Sequence, residues 1–361
     1  MITIELYNLD VLTGTFTRKA VINSYSNLSF SEVLNGVGEC SFVLNVLNPI
    51  LTKENFIQYR TQVLIKEGDN PLWVGTYTGY DSELRGEAGS VTIKCLSYFA
   101  HLFARNTDKI TNYIQVEQAQ ILRNLLILTQ GRTNGGLGIT YNSENTGIIR
   151  DRTYEYKNIG EALVQMSGVI NGCDFEFVPV LGPGNLLESV NLRIYTLRKG
   201  EVRNDLNSLR VGELGNVLSF GLGVSDELYN YVVSEGQGSQ DVVISVFDNS
   251  ALQLSYTRRE TYYPQKDVLI QSTLDQNTQA YGNTISTPKF LLNCVLNPLN
   301  KSLIENLKLG DIINIDIDAR DISPNAGDLI QFENQARIVG MQYNIDEQGV
   351  KTITPKLLFR S

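Results

Sequence analysis

LKLGDIINIDIDARDI (307–322) and, after a polar loop, QARIVGMQYNIDEQGVKTITPKLLF (335–359) decide the fold. The first reads as a tight Gly-Asp turn running into a strand. Ile313, Ile315 and Ile317 point one way and Asn314, Asp316 and Asp318 the other, the two-residue period of a half-buried strand. The second reads as a β-hairpin, with Arg337, Val339 and Met341 on one face and residues 346–349 turning the chain. Together they describe a small antiparallel barrel or sandwich.

Working outward, the same pattern recurs near the N-terminus. FVLNVLNP (42–49) is echoed by FLLNCVLNP (290–298), identical at seven of eight aligned positions when Cys294 is set aside as an insertion. Each run is followed by a strand (63–66; 312–317) and a bulky-Val-Gly step (Trp73-Val74-Gly75; Ile338-Val339-Gly340). A closing strand then follows in each (VTIKCL, 91–96; KTITPKL, 351–357). Apolar strands draw on few residue types, so two of them can look alike by chance. Four elements in one order argue instead for a duplicated module. One inserted residue turns the facing of everything beyond it unless a bulge absorbs it.

Residues 1–100 read as mostly β, with strands at 2–7, 28–34, 39–47, 62–66, 72–77 and 90–96 and Trp73 as a core anchor. Residues 105–200 change character. A helix at 116–130 ends at Gly131. A second is capped by Asn158, with Glu161 in the capping-box position, and carries a stripe of Ile159, Ala162, Leu163, Met166, Val169 and Ile170 up to Gly172. CDFEFVPV (173–180) and VNLRIYTL (190–197) make a strand pair that this helix covers. From 210 to 285, NVLSFGLG (216–223), ELYNYVVSEG (227–236), DVVISVF (241–247) and LQLSYTR (252–258) read as strands. Residues 267–281 read as a weaker helix with Leu269, Thr273, Gln276 and Ala280 on one side. The expected class is mainly β with α+β insertions. Its domains are 1–104, a first barrel; 105–208, α+β; 209–284, a β-rich connecting domain; and 285–361, a second barrel completed by strands from 209–240.

Composition narrows the chemistry. The 361 residues suffice for several domains, and a net charge of −9 argues against bulk electrostatic attachment to nucleic acid or an anionic membrane. No run approaches the ~20 apolar residues of a membrane span. MITIELYNLD reads as a strand rather than a leader. The four cysteines (40, 95, 173 and 294) have no CxxC spacing, so free thiols in a reducing cytoplasm are expected and a zinc site is not. One histidine, His101, excludes two-histidine metal motifs and leaves a packed or surface residue as the simplest reading. Asp311, Asp316, Asp318 and Asp321 lack the glycine and terminal glutamate of a calcium loop and read as the wet face of an amphipathic strand. GRTNGGLG (131–138) follows a helix and has no Lys-Ser/Thr end, so it is a loop rather than a phosphate cradle. No cofactor, metal or catalytic set is expected.

The series GECSFVLNVLNP (38–49), PLWVGTYTGYDSELRGEAGSVTIKCLSYFAHLFAR (71–105), YKNIGEALVQMSGVINGCDFEF (156–177), DELYNYVVSEG (226–236), LKLGDIINI (307–315) and RIVGMQYNIDEQGVKTITPKLL (337–358) resembles bacteriophage tail-tip or baseplate hub proteins, the Gp37-like minor tail group. So does residue stretch 256–296, and the resemblance covers nearly the whole chain. It implies two tail-tube-like barrels in one chain, with three chains presenting six barrels to a sixfold tube. It also implies a homotrimer with a DNA ejection channel, located in the virion tail tip after synthesis in the host cytoplasm. The implied partners are the distal tail or tube ring protein, the tape measure protein and tip or fibre proteins, with DNA as transiting, non-specific cargo. Because the chain stops right after the second barrel, tip enzymes are expected in other proteins. The competing readings are a cell-wall hydrolase and a β-rich carbohydrate-binding module. A channel that passes a polyanion without holding it should be neutral to acidic, which singles out Asn314, Asp316 and Asp318 as lumen-facing, with solvation of an edge strand as the alternative.

Overall fold

The computed structural model describes residues 2–359 except 86–87, 109, 207, 213–214, 239–240, 267 and 322–330. The chain opens with seven strands: β1 (Ile2–Asp10), β2 (Thr15–Ile22), β3 (Ser26–Val33), β4 (Glu39–Asn45), β5 (Thr61–Glu67), β6 (Asn70–Arg85) and β7 (Ala88–Ser97). A 3-10 turn, Tyr98–Ala104, leads into an α+β segment. That segment holds β8 (Thr111–Glu117), α1 (Gln118–Gln130), β9 (Ile139–Tyr141), β10 (Ile149–Tyr154), α2 (Ile159–Gly168), β11 (Asp174–Leu181) and β12 (Leu187–Tyr195). Next come β13 (Leu209–Arg210), β14 (Val217–Val224), β15 (Tyr231–Gly236), β16 (Val243–Asp248), α3 (Ser250–Tyr256), β17 (Glu260–Gln265) and α4 (Gln271–Ile285). The chain finishes with β18 (Phe290–Leu296), α5 (Lys301–Asn306), β19 (Ile312–Asp318), β20 (Gln331–Ile345) and β21 (Lys351–Phe359). The protein is mainly β with α+β insertions, as the sequence implies.

One sheet carries both ends of the chain, in the order β14-β18-β21-β20-β3-β4-β7-β6-β5-β1-β2, with β19 and then β13 branching from β20. Within it the run β3-β4-β7-β6-β5 and the run β14-β18-β21-β20-β19 have the same order relative to the chain, and every pairing in both is antiparallel. The echoed motifs lie on β4 and β18, the second strand of each run. In the second run a 65-residue excursion, 225–289, separates the first two strands. It folds as a three-stranded sheet, β16-β15-β17, packed on α4 through Val232, Phe247 and Ile285.

The two motifs part at the inserted Cys294. Leu44 and Leu292 are both buried and Asn45 and Asn293 both exposed, but beyond the insertion Leu296 is 0% exposed and Leu47 78%. β18 runs on through Leu296, with Cys294 and Leu296 inward, whereas β4 ends at Asn45 and Leu47 lies in the turn that follows it. Both motifs then close alike. Asn48 Oδ1 accepts from Ile50 N and Asn297 Oδ1 from Leu299 N, each at 3.0 Å, the Asx turn that Asn-Pro favours.

The inward side chains of the sheet form one core that runs through both modules, from Ile4, Phe30, Phe42 and Trp73 to Cys294, Ile315, Ile338 and Tyr343. Trp73 is buried and its Nε1 donates to Ser31 O at 3.0 Å, so it anchors the core and ties β6 to β3. A second core joins the outer face of the first module (Tyr7, Leu64, Val74) to α1, α2, β11 and β12.

Several expectations need correction. LQLSYTR is the helix α3 and not a strand; Asn249 caps it, accepting from Leu252 N at 3.2 Å, and that local bond outweighs the short alternation. β2 escaped notice because TFTRKAVI is a mostly exposed edge strand with few inward residues. α4 starts at Gln271 and buries Leu274, Asn277, Thr278, Gly282 and Ile285, so the stripe through Leu269, Thr273, Gln276 and Ala280 is off by a third of a turn; Asp267, its expected start, lies outside the described residues. α2 ends at Gly168, short of Val169 and Ile170. Asn158 does cap it at 3.1 Å, but Glu161 pairs with Lys157 at 3.5 Å. Arg337, Val339 and Met341 do not share one face, because a bulge at Val339 shifts the alternation: Ile338 and Met341 both enter the core. The polar stretch 322–330 also lies outside the described residues.

Candidate assembly site

The two halves of the large sheet meet where β3 lies antiparallel on β20, from Leu28 opposite Ile345 to Val33 opposite Gly340. The Phe30 and Tyr343 rings stack at 4.8 Å and 21°. Tyr343 Oη donates to Glu32 Oε2 at 2.9 Å, and Ser29 Oγ bridges Asn344 Oδ1 (2.7 Å) and Gln342 Nε2 (2.6 Å). Burial pushes the Glu32 carboxyl above its ordinary range, against the opposing pull of the Tyr343 hydroxyl. Burial and the facing carboxylate likewise push the Tyr343 hydroxyl up. This is a strand-to-strand joint between modules, made inside one chain.

A buried acid locks that joint to the α+β segment. Asp174, at the start of β11, is fully buried and pairs with Arg337 of β20. It also accepts from Asn35 Nδ2 at 2.8 Å, Lys199 N at 2.7 Å and Arg198 Nη1 at 3.2 Å. Burial alone would raise its pKa; the bonds from Arg337, Asn35 and Lys199 outweigh it and hold the carboxyl below its ordinary value. One carboxylate thus ties together the loop after β3, the hairpin strand of the second module and β11.

The sequence-selected polar face behaves as an alternating strand should. Asn314, Asp316 and Asp318 all lie on the side of β19 away from the core. Each has a neighbour: Asn314 Oδ1 accepts from Gln335 Nε2 at 3.0 Å, Asp316 pairs with Arg210 at 2.8 Å, and Asp318 pairs with Arg320. Asp311 departs from the wet face expected of it. It is buried, bound by Arg203 at 3.0 Å and by the amides of Glu201 (3.1 Å) and Lys308 (3.2 Å), and it stitches 199–205 to the turn before β19.

His101 sits edge-on to Tyr98, its Nε2 3.3 Å from Gln62 Oε1, and burial with nearby Arg105 lowers its pKa to about 4. All four cysteines are free and buried; burial pushes Cys173 and Cys294 to about 12. Among the described residues no group of three or more His, Cys, Asp or Glu is placed to hold a metal ion, and no helix is long and apolar enough to cross a membrane.

Sequence reasoning missed Asp174, Arg337 and Glu32 as a set. Asp174 looks like an ordinary first residue of a strand, and Glu32 like an outward position among serines; their partners are 163 and 311 residues away. Tyr343, between Met341 and Ile345 on the inward face beyond the bulge, was the available signal.

No family model and no curated protein matches the sequence. Solved structures do match its fold. The 43 kDa tail protein of prophage MuSo2 from Shewanella oneidensis matches at TM-score 0.62 and 10% identity, over 99% of this chain and 98% of that one. A tail protein from Neisseria meningitidis MC58 matches at 0.58 and 9%, over 99% and 96%. The prophage tail protein gp18 from Listeria monocytogenes EGD-e matches at 0.55 and 10%, over 99% and 94%. The chain has the fold of phage tail proteins along its whole length.

Proposed function

We propose that this chain is the structural hub of a phage tail tip. Three copies form a ring that adapts the sixfold tail tube to a threefold tip, seats tip or fibre proteins, meets the tube ring and tape measure proteins, and later passes DNA. The observation that carries this proposal is the strand order repeated within one chain whose full length has a tail-protein fold. Two tube-like modules per chain, 1–104 and 285–361 with β13 and β14 added, let three chains offer six equivalent contacts to a sixfold partner. The α+β segment and the excursion 225–289 are decoration outside that ring.

The role is mechanical rather than catalytic. Two of the buried acids, Asp174 with Arg337 and Asp311 with Arg203, are committed to structural ion pairs. Asn314, Asp316 and Asp318 face the lumen in this proposal; pairing with Arg210 and Arg320 makes that face nearly neutral, which lets a polyanion slide without being held. The test is the mass of the purified chain in solution and its copy number in tail tips. Three copies support the hub; a chain that stays single in both overturns it.

A further inference from the structure

The two modules are alike in strand order but not in what covers them. In the second module β20 pairs with β19 up to Arg337, bulges at Val339, and from Gly340 to Ile345 receives β3 on that same edge. In the first module β6 does the same up to a point. It pairs with β5 up to Thr76, bulges at Thr78, and continues from Gly79 along β7. Gly79 and Gly340 are matched in detail, for each follows the bulge and each sits opposite a lysine, Lys94 and Lys356. Beyond Gly79, however, no strand pairs with the second edge of β6 among the described residues.

Side-chain exposure records the missing strand. Met341 and Ile345, under β3, are 5% and 3% exposed, whereas their counterparts Tyr80 and Leu84 are 60% and 64% exposed. Tyr80 and Ser82 lie opposite the core residues Ile93 and Val91, so their side chains share the core face of the sheet. A cleft of about 290 Å³ lined by Leu51, Phe56, Tyr77, Tyr80 and Ile93 opens beside it. The complementary element is also open on one side. β14 holds the place in its run that β3 holds in the first, yet among the described residues no strand pairs with its outer edge. Its inward Phe220 and Leu222 are only half-buried, while Phe30 and Leu28 of β3 are fully buried.

We infer that β14 of one copy adds as an antiparallel strand to residues 79–84 of β6 in a second copy, repeating between chains the β3–β20 joint made within each. The pairing presupposes the ring assembly proposed above. Strand addition to an open edge supplies main-chain hydrogen bonds, and alternate side chains supply the fit. Phe220 and Leu222 then cover Tyr80, Leu84 and the cleft. The contact is head-to-tail: each copy offers one β14 edge and one β6 edge, and repetition closes into a ring. It also disposes of two exposed edges that would otherwise template aggregation.

Leu222 stands opposite Leu292, next to the Asn293–Lys356 pair, as Phe30 stands opposite Cys40, next to the Ser41–Lys94 pair. Antiparallel pairing therefore puts Phe220 of β14 beside Leu84, near the end of β6, just as Leu28 meets Ile345. Leu84 is exposed and Phe220 half-buried, and all four native cysteines are buried, so the single variants Leu84→Cys and Phe220→Cys each present one reactive thiol. The full-length variants are mixed and treated with a short bismaleimide. The expected result is a covalent dimer in the mixture and none with either variant alone or with Leu84→Cys mixed with Val224→Cys. In parallel, Leu84→Lys should weaken association at least tenfold with thermal unfolding of the single chain unchanged. Association that persists without an 84–220 cross-link, or an 84–84 cross-link, overturns the edge pairing and leaves the hub standing. Failure to associate at any concentration or in tails removes both.

Discussion

Asp174 is the residue whose loss should be felt across the most elements. Asp174→Asn keeps the shape and removes the charge, leaving Arg337 nearly buried and without its counter-ion. Removing one partner of a buried pair costs about 3–5 kcal/mol. Arg337→Met leaves Asp174 buried with only the half-exposed Arg198 as counter-charge and should cost a similar amount. The double variant buries neither charge, so it should cost clearly less than the sum, with a coupling of about 2 kcal/mol or more. Urea unfolding at neutral pH reads this as shifts in midpoint at constant slope. The depressed pKa of Asp174 fixes the pH sign. Its contribution is fully present above the ordinary carboxylate range and is lost as pH falls through the lower folded value. The wild type should therefore lose its advantage over Asp174→Asn in acid. Strictly additive single costs, or a difference that does not shrink in acid, would refute the clamp.

At the β3–β20 joint, Phe30→Ala removes a fully buried ring stacked on Tyr343 and should cost about 3–5 kcal/mol by thermal or urea unfolding; a loss under about 1 kcal/mol would mean the joint contributes little. Glu32 has the opposite sign to Asp174. Its folded pKa is raised, so its contribution is greatest below the ordinary carboxylate range and is lost as pH rises through the folded value. Glu32→Gln should stabilise the chain at neutral pH and flatten stability against pH, and unfolding midpoints across pH 4–8, roughly the span around the carboxylate range, would show it. Asn158→Ala should cost about 1 kcal/mol through loss of the α2 cap, visible as faster amide exchange in the first turn of α2.

The sequence made the strands legible where alternation was strong and local. Ile313, Ile315 and Ile317 are buried and Asn314, Asp316 and Asp318 are not, because one face of β19 meets the core. The LN-rich echo led to strands of matching rank. What stayed hidden was set at a distance. The bulge at Val339 depends on β3 and β21 flanking it, and no local pattern marks it. α3 looked like a strand because seven residues are too few to separate the two periods, and its cap decided the matter. The acids misled most: Asp311 reads as part of a wet series and is buried by Arg203, more than 100 residues earlier. The joint itself was invisible, because β3 and β20 lie at opposite ends of the chain and their pairing is written in neither.

Whether two modules per chain build a ring is measured directly by a cryo-electron microscopy map of the assembled tail tip. The map should show three chains around the axis, six modules joined alternately by β3–β20 within chains and β14–β6 between them. Asn314, Asp316 and Asp318 should lie on the face nearest the axis. A chain that sits off the axis, or modules that touch through their α+β segments with β14 and residues 79–84 of β6 left open, would contradict it.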